Sequence, residues 1–172
     1  RPKRSSMKPR RLPNVSSPRW PNSVNLLQKK YMPYIASFIY GALAASAALL
    51  SEGIILAGLS SGPALFILGA CIEESLKLLF LVQWQRRFPF QTSLHLLAAA
   101  CLGAGFASIE VWLAAPPTLS IALALTLVHI TTSIVLGYGT RSGGPFTLLR
   151  GSVLLAAIVL HTVYNLFFAS LQ

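Results

Sequence analysis

Followed along the chain for hydrophobicity alone, the sequence falls into long apolar runs separated by short polar or proline-bearing breaks. A helix needs about 20 apolar residues to cross a hydrocarbon core, and five segments meet that length. The first runs from Pro33 to Leu59, with Ser51-Glu52-Gly53 as a break point within it. The second runs from Pro63 to Trp84, and after QRRFPFQT the third spans Ser93 to Ala115. Pro116-Pro117 turns the chain into the fourth, Thr118 to Tyr138, and after GTRSGGPFT the fifth spans Leu148 to Leu171. Neither internal repeats nor a soluble domain interrupt this pattern. It predicts an all-α fold, a polytopic membrane helical bundle of about five transmembrane helices. Residues 31–172 form that unit, and residues 1–30 stand apart from it.

The polar residues inside the apolar runs change the picture. Residues 70–80 read ACIEESLKLLF, so Glu73, Glu74 and Lys77 interrupt a membrane segment. Three charges near a helix centre cost about 8–10 kcal/mol on the insertion scale, and the Leu, Ile, Val and Phe residues of this segment return only about 3–7 kcal/mol. The segment inserts poorly alone, so charge pairing, a water-filled cavity or a metal in the assembled bundle must make up the difference. Lys77 lies four residues after Glu73 and three after Glu74, within reach of either on a helix. Two adjacent carboxylates repel, whereas the lysine favours ionisation of its nearer partner. One protonated and one ionised glutamate suit acid/base work. A plain Glu–Lys packing pair is the competing reading of this motif.

Other segments bring polar groups to a similar depth. Counted at about 1.5 Å per residue from the segment ends, Glu73, His129 and His161 lie about 13–17 Å below the outer surface and Glu110 about 8 Å. His161 and Asn165 share a face of the fifth helix, as Phe106 and Glu110 do on the third. A single helical histidine is more often a packing residue than a ligand, but polar groups on four helices at comparable depth point to one site. Glu52 and His95 fall near segment ends and read as interfacial residues.

Composition and charge then set the class. The chain has 172 residues, 54% hydrophobic and 10% charged, with a mean hydropathy of +0.64, which places it with integral membrane proteins. It has 14 Lys plus Arg against 4 acids and no Asp. Nine of the basic residues lie in residues 1–30, a Pro/Ser/Arg-rich stretch that reads as a disordered polybasic tail. Beside a membrane segment such a tail sets topology and contacts anionic lipid headgroups, so no nucleic-acid partner is expected. It has no apolar core of the kind that marks a cleavable signal peptide. Arg86-Arg87 and Arg141 with Arg150 occupy loops alternate with the uncharged SSGP and AAPPT. The positive-inside rule therefore puts the N-terminus in the cytoplasm and the C-terminus outside. Cys71 and Cys101 both sit in apolar runs and read as small buried hydrophobes.

Glu73-Glu74-x-x-Lys77, Gly105-Phe106 with Glu110, the isolated His129 and His161-x-x-x-Asn165 together resemble the motif series of the PrsW-type intramembrane proteases. That family is distantly similar to the CAAX-prenyl protease and bacteriocin-processing superfamily, which carries a His where this chain has Glu110. The resemblance covers residues 63–168 and keeps the order of the four motifs. It implies an intramembrane endopeptidase of a bacterial or archaeal cell membrane that cleaves a membrane-embedded protein substrate, often an anti-sigma factor. It implies Glu73, Glu74, Lys77, Glu110, His129, His161 and Asn165 as the catalytic set.

Peptide hydrolysis needs an activated water, a stabilised oxyanion and a proton for the leaving amine. Either Glu73 or Glu74 serves as general base. In a metalloprotease form, His129, His161 and a glutamate, Glu74 in the first assignment, hold Zn2+ with one position open to water. In a metal-free form a glutamate activates water directly while His and Asn stabilise the oxyanion; the absence of H-E-x-x-H leans toward this form. The rival class is a proton-coupled transporter or channel that uses the same residues as a relay. Against it, five helices offer no inverted repeat.

Overall fold

The computed structural model of the chain describes residues 22–57, 62–88, 92–114, 118–140 and 148–170. Among these residues all regular structure is helical: α1 (Asn22–Leu56), α2 (Pro63–Arg87), α3 (Thr92–Ala114), α4 (Leu119–Thr140) and α5 (Leu148–Ala169). The segments read from hydrophobicity thus reappear with ends shifted by a few residues, apart from two differences in α1. This helix starts at Asn22, so residues 22–30 of the expected tail are helical, while residues 1–21 lie outside the described residues. It also continues unbroken through Ser51-Glu52-Gly53, because a single Gly costs a helix only about 1 kcal/mol.

Four helices (α1, α3, α4 and α5) are long and apolar enough to cross a membrane. They fit an integral membrane protein. α2 is the exception to the five expected. Its 25 residues are long enough, but Glu73, Glu74, Lys77, Arg86 and Arg87 make it too polar. Its place in the bundle answers that deficit, for α2 touches each of the other four helices. Its buried positions, Ala70, Glu73, Glu74, Lys77, Leu78, Leu81 and Trp84, recur at helical spacing, so the charges and the apolar core residues share one face.

Small residues set how closely the other helices approach. Gly41 on α1 lies against the Leu102 carbonyl of α3, and Gly105 on α3 lies against the Phe38 carbonyl of α1. A Cβ at either would overlap the opposing backbone, the close contact that glycine permits between membrane helices. Gly103 does the same between α3 and the His129 carbonyl of α4. One apolar cluster gathers Leu78, Leu81, Trp84, Leu102 and Leu136, and a second gathers Ala44, Ala45, Ala48 and Phe106. Leu50, Ile54, Trp112 and Leu119 face outward, 71% to 80% exposed, as residues bathed by lipid do.

The end that carries Arg86 and Arg87 is tied by hydrogen bonds. The Trp84 indole donates to the Pro33 carbonyl (2.9 Å), Gln85 to the Thr140 carbonyl (2.9 Å) and Ser37 to the Ala98 carbonyl (2.6 Å). His95, read from sequence as interfacial, is instead buried at this end and bonded to the Thr140 hydroxyl at 2.8 Å. Both cysteines are free thiols.

Candidate functional site

The two adjacent glutamates of α2 meet different surroundings. Glu74 is fully buried, and its Oε1 accepts from Lys77 Nζ at 2.6 Å and from His161 Nδ1 at 2.7 Å. Glu73, about 100° round the helix, is 8% exposed, and its Oε2 has no hydrogen-bond partner. It lies 3.7 Å from His161 Nε2. Lys77 is fully buried and does more than pair with Glu74. Its ammonium also donates to His129 Nδ1 at 2.7 Å, reaches Thr132 Oγ1 at 3.4 Å and sits 4.3 Å from the Phe106 ring centroid.

α4 aims His129 inward because Leu125, His129, Thr132, Leu136 and Thr140 form one buried stripe. Its ring stacks at a tilt on Phe106, with centroids 4.8 Å apart, and stands perpendicular to His161 at 5.0 Å. His129 Nε2 abuts Glu110 Oε2 of α3, a contact that lacks the alignment of a hydrogen bond. Glu110 therefore reaches the cluster although it starts from a shallower position on its helix. Asn165, one turn beyond His161, is half-buried, and no hydrogen bond or ion pair among the described residues ties it to the cluster.

These bonds fix the two histidines in opposite tautomers. An ammonium has protons to give and no lone pair, so His129 Nδ1 accepts from Lys77 and the neutral ring carries its proton on Nε2. An ionised carboxylate only accepts, so His161 Nδ1 donates to Glu74 and its Nε2 carries a lone pair. One ring offers a proton to the shared space and the other offers an electron pair. Glu74 and Lys77 act on that space through the two rings.

Glu73, His129 and His161 each bring one ligand atom within 4.8 Å of the others, so by position they could hold a metal ion. The glutamate of this group is Glu73, which corrects the first assignment to Glu74; Glu74 already serves Lys77 and His161. The donor chemistry is a poorer match than the positions. His129 could ligate through Nε2 only after losing the proton there, or after Lys77 stopped donating to Nδ1.

Sequence reasoning missed Glu52. The unbroken α1 carries it into a cavity of about 20 Å³ lined by Ala45, Ala48, Leu49, Glu52, Glu73, Phe106 and Glu110. Such a volume holds about one water. The signal for Glu52 was in the composition, as one of only 4 acids in the chain. Six of the nine buried side-chain polar atoms that lack a hydrogen bond among the described residues belong to Glu52, Glu73, Glu74, Glu110, His129 and His161. Native interiors leave few such atoms, and their concentration here marks the site. No family model matches the chain, and comparisons with curated proteins and with solved structures found no match either.

Proposed function

We propose that the chain is an intramembrane endopeptidase that hydrolyses a peptide bond of a membrane-embedded protein substrate without a metal ion. One observation carries this reading. An unpartnered Glu73 oxygen lines a one-water cavity beside two histidines of opposite tautomer. Glu73 takes a proton from the water as it attacks the scissile carbonyl, and then passes that proton to the leaving amine. His129 Nε2–H, which abuts Glu110 in the resting site, turns to the developing oxyanion. His161 Nε2 accepts from the attacking water and orients it toward the carbonyl. Asn165, on the next turn of α5, adds a second oxyanion donor once a substrate helix closes on the site. Glu74 and Lys77 are positioning residues, each holding one ring in the tautomer that its task needs. The motif resemblance to PrsW-type proteases supports the same assignment, with the N-terminus in the cytoplasm and the basic tail on anionic headgroups.

The test is reconstitution of the full chain in liposomes with single-span peptide substrates. Wild type cleaves, Glu73→Gln and His161→Ala do not, and chelator leaves the wild-type rate unchanged. Cleavage by both variants overturns the site, and loss of activity on chelation restored by zinc overturns the metal-free chemistry. Proton flux without cleavage would instead favour a relay in a transporter.

A further inference from the structure

We infer that Glu52 of α1 is the proton outlet of this site, carrying protons between the Glu73 cavity and the end of the bundle where α1 stops and α2 begins. The inference rests on the peptidase reading and adds a residue outside the four motifs that prompted it.

The geometry is directional. Glu52 lies four residues before the end of α1, and its carboxylate packs on α2 beside Gly69, where an added Cβ would sit 3.5 Å from Glu52 Oε1. Gly69 is one turn nearer the start of α2 than Glu73, on the same face. Glu52 therefore stands one turn outside Glu73, on the way out. It is half-exposed, whereas Glu73 is buried, and both line the same cavity. Glu52 Oε1 and Glu73 Oε2 are both buried without a donor, and the two carboxyl groups lie within hydrogen-bonding reach of each other, so a proton can pass between them directly. The other walls are apolar except for Glu110, whose Oε2 is turned to His129. Gly53 next to Glu52 has open space around it, and α1 ends three residues after it.

The hydrolysis gives such a route a proton to carry. The attacking water carries two protons. The first goes to Glu73 as the C–O bond forms, and from Glu73 to the amine nitrogen as the C–N bond breaks. The second stays on the newly formed carboxyl group. It leaves as the product departs as a carboxylate, and the product amine takes up a proton in turn once it reaches water, so the overall balance is closed. Lys77 has no lone pair to receive it, and Glu74, whose Oε1 already holds two donors, does not line the cavity. Glu52 takes that proton by way of Glu73 and releases it to the aqueous side, and is ionised again for the next turnover.

The experiment uses the full chain in liposomes with the same single-span peptide. Glu52→Gln lowers kcat by about 100-fold, the lower end for loss of an acid–base group, with KM unchanged and a larger solvent deuterium isotope effect on kcat. In Glu52→Ala, millimolar acetate restores the rate by taking the place of the missing carboxylate, a readout that a merely structural role would not move. Gly69→Leu, which pushes the Glu52 carboxylate off α2, reproduces the Glu52→Gln defect without altering an ionisable group. If wild type cleaves and Glu73→Gln does not, yet Glu52→Gln keeps full rate, the outlet is overturned and the peptidase reading stands. Lack of acetate rescue together with a lowered melting temperature in Glu52→Ala also overturns it. If wild type itself cleaves nothing, the peptidase reading falls first and takes this inference with it.

Discussion

The bundle holds two buried polar regions that use similar residue types to opposite ends. At the end bearing Arg86 and Arg87, His95, Trp84, Gln85, Thr140 and Ser37 bond one helix to another. Midway along α2, Glu73, Glu110, His129 and His161 leave oxygen and nitrogen atoms unbonded, and the two glutamates line a cavity. The first region is joinery, because each bond spans two helices and satisfies a group that would otherwise be stranded in a medium without water. The second keeps its hydrogen-bonding capacity for something that arrives. Adjacent glutamates repeat the contrast within a single helical turn: Glu74 commits Oε1 to two donors, whereas Glu73 lines the cavity.

Substitutions can break that contrast or sharpen it. The largest effect is expected at Glu73. Glu73→Gln removes the base and lowers cleavage by about 10⁴-fold, the upper range for acid–base catalysis, with no loss of thermal stability in detergent. A variant that melts early would move Glu73 into the structural class. Next, Lys77→Met strips the buried partner from Glu74 and costs about 3–5 kcal/mol of stability. Denaturant titration in micelles reads this, and Lys77→Met with Glu74→Gln recovers part of it. A fully stable single variant would show that the pair does not hold the bundle together. In the smallest case, Trp84→Phe removes the indole's bond to the Pro33 carbonyl, at about 1 kcal/mol, and leaves the cleavage rate unchanged. A rate defect there would mean that the two regions are coupled. The tautomers give a spectroscopic check of the same contrast: ¹⁵N-labelled histidine should show His129 protonated on Nε2 and His161 on Nδ1.

Much of this was legible along the chain. Helix ends follow the apolar runs, since lipid rewards uninterrupted hydrophobicity and the breaks contain Pro, Gly or charge. Depth was legible too, for Glu73, His129 and His161 needed only a residue count. Azimuth was not. Whether Glu73 or Glu74 faces the histidines depends on α4 and α5 closing on α2, and Lys77 reaches His129 only across that interface. Glu52 was lost through a local rule. Ser-Glu-Gly reads as a break, and a break puts Glu52 at the interface, whereas packing on α2 carried the helix straight through. His95 failed for a related reason: nearness to a helix end gives depth and says nothing about a neighbouring Thr140.

The central position of α2 has a consequence for how the protein comes into being. The helix least able to enter the bilayer alone is the one that touches all the others, so it cannot settle before they surround it. Glu73 therefore meets the two histidines only when the last helix is in place. A half-built chain in the membrane therefore lacks the assembled cluster altogether.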